Sequence, residues 1–227
     1  MNPDWKKFLL AENGVFENDS QVVFPVSSES NTRIYPISHL SILTISGRDA
    51  AMFLQGQMTC NIHDVTDVKG SLGGFCNPKG RVISTFIIVK NKNSYFLILP
   101  HELLKIVKNR LQMYVLRSDV AISDDSNNLC LIGISNTETN QPKPISADPL
   151  FVTRQLDIHE ISVSFSPDRF LYIGEYNESV TKWKKWVNQD NFIPSSTAQW
   201  QYLDVISGIP WISEKTTEEF IPQMLNL

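Results

Sequence analysis

The sequence holds few residues of the types that catalyse reactions or bind metals, and their spacing matches none of the usual motifs. The three cysteines, Cys60, Cys76 and Cys130, form no CxxC pair and have no histidine beside them, so neither a zinc site nor an activated thiol is indicated. The histidines at positions 39, 63, 101 and 159 show no HxxxH or HExxH spacing. We therefore predict no catalytic residue, no metal site and cysteines that stay reduced.

Two segments combine positive charge with apolar or aromatic residues. Residues 182–186 alternate lysines with tryptophans, an arrangement that can stack nucleobases. Residues 105–117 carry four cations and no acid. An amphipathic helix with solvated lysines also explains both patterns. Because the net charge is −4, we favour that interpretation and do not expect direct nucleic-acid binding.

The first half of the chain shows the periodicities of a small α+β layer. Alternating or continuous apolar residues predict strands, and an apolar stripe from Leu103 to Tyr114 predicts a helix. Ser46 and Asp49 predict a capping box for an earlier helix, and the sequence of residues 77–80 predicts a type I turn. The predicted order is strand 41–45, helix 50–55, strands 71–76, 81–90 and 94–99, helix 101–114 and strand 119–122. This order is typical of a ferredoxin-like split βαβ unit.

The second half is less regular but has similar content. Strands are predicted near 129–134, 151–156, 161–165 and 170–173, helices at 178–189 and 198–206, and a loop over 135–149. We predict an α+β protein with mostly antiparallel sheets, divided into an N-terminal arm (1–35), a first ferredoxin-like half (36–123) and a second α+β half (124–227). The longest apolar runs are far shorter than a membrane span, and no signal peptide begins the chain. These features predict a cytoplasmic protein that does not enter a membrane.

Several strings resemble motifs of one family, in the order in which that family has them. They are 53–59 (FLQGQMT), 76–82 (CNPKGRV), 114–120 (YVLRSDV), 208–210 (GIP) and 220–227 (FIPQMLNL). Together they resemble the YgfZ-type folate-binding proteins, relatives of the glycine cleavage T-protein. The resemblance covers about residues 39 to 227. The family's KGCYxGQE string and its C-terminal barrel would follow Leu227, so we expect this chain to be truncated before them.

The resemblance implies a tetrahydrofolate-binding body of two ferredoxin-like subdomains. It also implies a role in maintaining iron–sulfur enzymes, including those that modify tRNA, which would then be partners. Trp200 occupies the position of a folate-contacting tryptophan, and Leu40 the position of the second folate-lining residue. A core tryptophan on a helix is the alternative interpretation of Trp200. Leu40 supplies an apolar wall without a stacking face.

Departures from the family's enzymatic branch restrict the expected activity. The T-protein has an essential aspartate where this chain has Ser84 and Thr85, and a pterin-binding glutamate where it has Ile206. Asp204 is only a partial substitute, because residues two apart on a helix point in different directions. We therefore expect folate binding without aminomethyltransferase turnover. A true folate-dependent aminomethyltransferase and a folate-free module that binds protein or RNA are the alternatives.

Overall fold

The computed structural model describes residues 1–25, 31–136, 151–157, 160–166 and 168–227. In chain order the elements are α1 (Pro3–Ala11), β1 (Val15–Asn18), β2 (Gln21–Val23), β3 (Thr32–Pro36), β4 (Leu40–Ser46), α2 (Ala50–Gln55), a 3-10 helix (Ile62–Asp64), β5 (Ser71–Cys76), β6 (Val82–Asn91), β7 (Ser94–Pro100), a 3-10 helix (His101–Leu103), α3 (Leu104–Val115), β8 (Ala121–Asp124), β9 (Leu129–Asn136), β10 (Val152–Asp157), β11 (Glu160–Ser166), β12 (Arg169–Glu175), α4 (Tyr176–Asn188), β13 (Ile193–Pro194), α5 (Thr197–Ile206) and a 3-10 helix (Pro222–Leu225).

These elements form two compact units, and each unit combines segments that are distant in sequence. The first contains residues 1–40 and 126–209, and the second contains residues 41–125 and 210–227. The predicted segments 1–35, 36–123 and 124–227 instead follow chain order. Most of the predicted loop at 135–149 lies outside the described residues, and Ser135 and Asn136 end β9.

The second unit has the element order predicted for a split βαβ layer. Its five strands lie in the order β5-β6-β7-β4-β8, with α2 and α3 as the crossover helices. Strand β5 adds an edge strand to the basic ferredoxin-like pattern. The stripe on α3 is buried through Leu104, Val107 and Leu111, as its helical spacing predicts, but Tyr114 at its end is 42% exposed. The predicted turn at 77–80 forms too, with the Gly80 amide donating to the Asn77 carbonyl at 2.9 Å.

One local prediction in this unit is wrong. Asp49 stands at the N-cap of α2, but no side-chain hydrogen bond caps that helix. Asp49 Oδ2 instead accepts a 2.7 Å hydrogen bond from the Asp119 amide. The carboxylate therefore joins two distant loops and leaves the first turn of α2 without a capping box.

The first unit contains a six-stranded sheet of order β10-β11-β12-β9-β3-β13 and a separate β1-β2 hairpin. Residues 1–35 supply α1, β1, β2 and most of β3, and β3 pairs antiparallel with β9 inside the sheet. The Asn2 side chain caps α1 by accepting from two amides of its first turn. Trp5 and Phe24 pack at 5.6 and 5.8 Å from the Trp183 ring of α4. The N-terminal segment thus completes a core and a sheet.

The surroundings of Trp183 and Trp186 distinguish between the two interpretations of the lysine–tryptophan segment, which lies on α4. Trp183 is fully buried, Trp186 stacks on Phe192, and the Lys184 ammonium lies 5.7 Å from the Phe8 ring centroid. The tryptophans are therefore occupied by packing inside the unit, which is the amphipathic-helix interpretation.

Three further observations concern the described part of the chain. Cys60, Cys76 and Cys130 are all free thiols. Among the described residues, no cluster of three or more histidines, cysteines and acids has the geometry to hold a metal ion. Within the same ranges, every helix is too short or too polar to cross a bilayer.

Candidate functional site

Trp200 lies on α5 and is enclosed within the first unit. A complete capping box of Ser196 and Gln199 begins the helix, which fixes the position of Trp200 one turn later. None of the Trp200 side chain is exposed. The Arg169 guanidinium lies 4.0 Å from its ring centroid, and a Cβ added to Gly133 would come within 2.4 Å of its Cε3 atom. The ring is therefore covered by protein and offers no free face for stacking.

Arg169, the first residue of β12, is a buried cation held against Trp200. Its side chain is 6% exposed and forms an ion pair with the buried carboxylate of Asp204 on α5. It also donates to the Trp200 carbonyl at 3.4 Å. Burial lowers the pKa of Arg169, and the Asp204 charge opposes that shift. Because Asp204 is engaged as this counterion, its carboxylate is not free to serve as the pterin partner that the sequence suggested.

Several polar atoms around Arg169 and Trp200 lack the hydrogen bonds that buried groups normally make. They are Nε of Arg169, Nε1 of Trp200 and both ring nitrogens of His39. His39 is 9% exposed, and its pKa is lowered to about 3 by burial and by the Arg169 charge. We call His39, Arg169 and Trp200 the polar cluster. An unpaired buried polar group costs about 1–3 kcal/mol, so a partner for these atoms would be stabilising.

The tryptophan of α4 shows what distinguishes this cluster. Trp183 Nε1 is likewise buried without a hydrogen-bond partner, but its surroundings are the rings of Trp5, Phe8 and Phe24. At Trp200 the unpaired N–H instead occurs with an unpaired guanidinium nitrogen and a neutral imidazole. The polar cluster thus offers two N–H donors and one ring that both donates and accepts.

Leu40 belongs to the same unit as Trp200 and begins β4. It is 4% exposed and directly follows His39. Its side chain is apolar and carries no hydrogen-bonding group.

Ser84 and Thr85, which the sequence resemblance aligns with the T-protein's aspartate, lie on β6 in the second unit. Ser84 and Thr85 are fully buried. Ser84 Oγ donates to the Thr85 carbonyl at 3.0 Å, and Thr85 Oγ1 accepts from the Ile212 amide at 3.1 Å. Both hydroxyls are thus used within the fold, and neither supplies a carboxylate.

Three of the family-like strings meet in the second unit. The Gly74 amide donates to Thr59 Oγ1 at 2.8 Å, which attaches residues 53–59 to β5. The Val82 amide donates to the Phe220 carbonyl at 2.8 Å, and the Glu218 amide donates to the Val82 carbonyl at 2.8 Å. Residues 217–220 therefore run beside the start of β6. The contacts within this unit therefore give the residues of these strings a structural role.

Sequence reasoning missed two members of the polar cluster. Arg169 is a cation that opens an apolar strand, and His39 immediately precedes another. A charged or polar residue at the start of an apolar strand was the available signal. For Arg169 the role of the residue depends on its ion pair with Asp204 of α5, which lies 35 residues further along the chain. For His39 it depends on burial near the Arg169 charge.

Comparison with solved structures defines the class of fold. The chain resembles the glycine cleavage system aminomethyltransferase T from Bartonella henselae with a TM-score of 0.71 and 10% sequence identity, over 92% of this chain and 62% of that one. The chain therefore has a T-protein-like body, an α+β fold of mostly antiparallel sheets, as predicted. At this identity the likeness concerns the fold alone.

Sequence comparison points to a particular group within that class. No family model matches the chain. It is 24% identical to the tRNA-modifying protein YgfZ of Colwellia psychrerythraea over 86% of this chain and 60% of the relative. It is 29% identical to the tRNA-modifying protein YgfZ of Hamiltonella defensa over 82% of this chain and 56% of the relative. The resemblance to YgfZ-type proteins is thus confirmed, and the chain spans less than two thirds of these relatives.

Proposed function

We propose that this chain binds a reduced folate, tetrahydrofolate or a derivative of it, as part of a cytoplasmic system that modifies tRNA and maintains iron–sulfur proteins. The T-protein-like body and the similarity to tRNA-modifying YgfZ proteins support this function. The single observation that carries it is the polar cluster, because its unpaired buried atoms are complementary to a heterocycle with several hydrogen-bonding groups.

The residues of the cluster have separate tasks in this proposal. Trp200 Nε1 and Arg169 Nε donate to acceptor atoms of the pterin, and the neutral His39 ring donates or accepts a further hydrogen bond. Leu40 contributes apolar wall. Since the Trp200 ring is covered by Arg169, its contribution is the N–H edge and not a stacking face. Because Trp200 has no exposed surface, the side chains that cover this edge move when the ligand enters.

Bound tetrahydrofolate would supply a carrier for one-carbon groups, and this chain's own residues favour binding without transfer. Transfer from an aminomethyl donor calls for a carboxylate near the reacting nitrogen. Ser84 and Thr85 occupy that position and are fully buried, and Asp204 is paired with Arg169. We therefore infer that aminomethyltransferase turnover is absent. The similarity to tRNA-modifying YgfZ proteins supports tRNA-modifying enzymes as the partners, and we propose iron–sulfur enzymes among them.

Calorimetric titration with tetrahydrofolate and with 5-formyltetrahydrofolate tests the proposal. We expect saturable binding that Trp200→Phe weakens about tenfold, which is the loss of about 1.4 kcal/mol for one hydrogen bond. Trp183→Phe is the matched control, because it removes an equally buried and unpaired indole N–H that is surrounded by the rings of Trp5, Phe8 and Phe24. That variant should bind as the parent does. Absence of binding, or equal weakening by both substitutions, would contradict the proposal.

A folate-free interaction module is the second candidate function. The observation that favours it is the closed environment of Trp200, which has no exposed surface. Such a module would show no binding of either folate in the titration, although it would still bind its partner proteins. The titration therefore separates the two candidates directly.

A further inference from the structure

Arg33, Ser135 and Arg169 lie side by side on one face of the six-stranded sheet. In the antiparallel pairing Arg33 of β3 is opposite Ser135 of β9, and Ser135 is opposite Arg169 of β12. Residues directly opposite each other on antiparallel strands point to the same face. We call these three residues the basic row. Because adjacent strands are about 4.8 Å apart, the backbones of the two arginines are separated by about 10 Å.

Tyr35 connects the basic row to Trp200. Its ring centroid lies 5.5 Å from that of Trp200, and its hydroxyl oxygen is 2.9 Å from Ser135 Oγ. Both side chains of this hydroxyl pair are buried. Two hydroxyl groups that share one hydrogen bond leave one O–H hydrogen for a further acceptor. An acceptor placed beside Tyr35 and Ser135 would therefore be stabilising.

Arg33 carries a positive charge that the surrounding side chains leave unbalanced. Its Nη1 atom donates to Ser195 Oγ at 3.2 Å, which holds the guanidinium against the sheet. Among the described residues Arg33 forms no ion pair, whereas Asp204 neutralises Arg169. Burial raises the pKa of Tyr35, so its phenol is neutral at pH 7. The row therefore has one excess positive charge.

The donors and the charge of the row define the chemistry of its ligand. The Arg33 guanidinium has five N–H donors, of which Ser195 accepts from one, and the neutral His39 ring adds no charge. A carboxylate carries one negative charge and matches the planar fork of a guanidinium. A phosphate monoester carries a charge of about −1.5 to −2 at pH 7, which is more than the row balances. Because Arg33 is half-buried, a carboxylate can approach the row from that end.

We propose that the basic row binds a carboxylate through the Arg33 guanidinium and the hydroxyl pair of Tyr35 and Ser135. This carboxylate belongs to the glutamyl group of the folate, an assignment that rests on the proposed function. The glutamyl group lies at the opposite end of a folate from the pterin. In the same way, Arg33 lies at the opposite end of the row from Arg169, whose guanidinium covers Trp200. The enclosed end of the site therefore receives the pterin and the half-buried end receives the carboxylate.

Calorimetric titration with 5-formyltetrahydrofolate and with its dimethyl ester tests this inference. The ester keeps the rings of the acid but has no carboxylate, so it removes the charge with which Arg33 would pair. The parent should bind the acid at least tenfold more tightly than the ester. Arg33→Gln should bind both ligands equally, with about the affinity of the parent for the ester, because the two changes remove the same interaction. Thermal unfolding checks that the variant is folded.

Arg154→Gln is the matched control for the loss of an arginine from the same sheet. Arg154 is exposed on β10. It is opposite Ser162, which is opposite Tyr172, so it points to the other face of the sheet from Arg169. This variant should keep the parent's preference for the acid.

The outcomes separate this inference from the proposed function. Equal preference for the acid in the parent and in Arg33→Gln would overturn the carboxylate site and leave folate binding intact. A parent that binds acid and ester equally would do the same. A parent that binds neither ligand would overturn the proposed function and this inference together.

Discussion

Arg169 is a buried cation in the interior of the first unit. It is enclosed by two rings, with its guanidinium 4.0 Å from the Trp200 centroid and 5.0 Å from the Phe165 centroid. Asp204 neutralises its charge. Cation–π contact and ion pairing together compensate for the loss of hydration, which would otherwise make a buried cation costly. The arrangement is stable only while each partner is present.

Removing the carboxylate should therefore destabilise the protein strongly. We expect Asp204→Asn to lower the free energy of unfolding by about 3–5 kcal/mol, because it leaves the Arg169 charge buried without a counterion. Urea denaturation measures this change. The exposed pair of Lys6 and Asp19, at 2.9 Å, provides the control, and Asp19→Asn should cost at most about 1 kcal/mol. Similar costs for the two substitutions would contradict the buried ion pair.

His39 should make stability depend on pH. Its pKa is about 3 in the folded protein, against 6.5 for a free histidine, so between these values the unfolded chain binds a proton that the native state does not. Stability contributed by the neutral ring is thus complete above pH 6.5 and is lost as the pH falls, by about 1.4 kcal/mol per pH unit.

Comparison of unfolding at pH 7 and pH 5 isolates this contribution. The parent should lose about 2 kcal/mol more than His39→Leu over that interval, since about 1.5 pH units lie below the unfolded pKa. His63→Gln, at an exposed site, should behave as the parent does. Equal pH dependence in the parent and His39→Leu would show that His39 is not buried in its neutral form.

At the scale of elements, helix α5 connects local sequence signals to the site. Its Ser196–Gln199 capping box sets the first turn, and the four-residue spacing of Trp200 and Asp204 puts both on the buried face. The sequence therefore predicted this helix within one residue. The close approach of β9 to Trp200 was not predictable, because a single glycine in an apolar strand indicates only that some backbone or side chain lies nearby.

Gly133 in β9 should tolerate no side chain. A Cβ there would meet Trp200 Cε3 at 2.4 Å and Ile37 Cδ1 at 2.9 Å, so Gly133→Ala should destabilise the protein by about 1–3 kcal/mol through overpacking. At Gly56 the nearest atom would be 3.6 Å away, and Gly56→Ala should be neutral or slightly stabilising. Thermal unfolding of both variants tests the contact. An unchanged Gly133→Ala protein would mean that Trp200 is not packed on β9.

At the scale of the whole molecule, chain order and spatial order differ. Periodicity predicted the strands and helices of residues 41–124, because consecutive elements of a split βαβ unit are also neighbours in space. It could not predict that residues 1–40 pack with 126–209, or that 210–227 pack with 41–125. Those associations depend on long-range contacts such as Trp5 with Trp183 and Phe220 with Val82, which leave no periodic signal.

The polar cluster was predictable only in part for the same reason. The family-like strings led to Trp200 and Leu40, whereas the roles of Arg169 and His39 become visible only in the folded first unit.

The central claim is that these groups bind a reduced folate. The most direct test is the ¹⁵N–¹H spectrum of the indole groups of the five tryptophans, recorded while 5-formyltetrahydrofolate is added. The Trp200 signal, assigned with Trp200→Phe, should shift saturably while the Trp183 signal stays in place. A spectrum in which the Trp200 signal does not move would contradict the account.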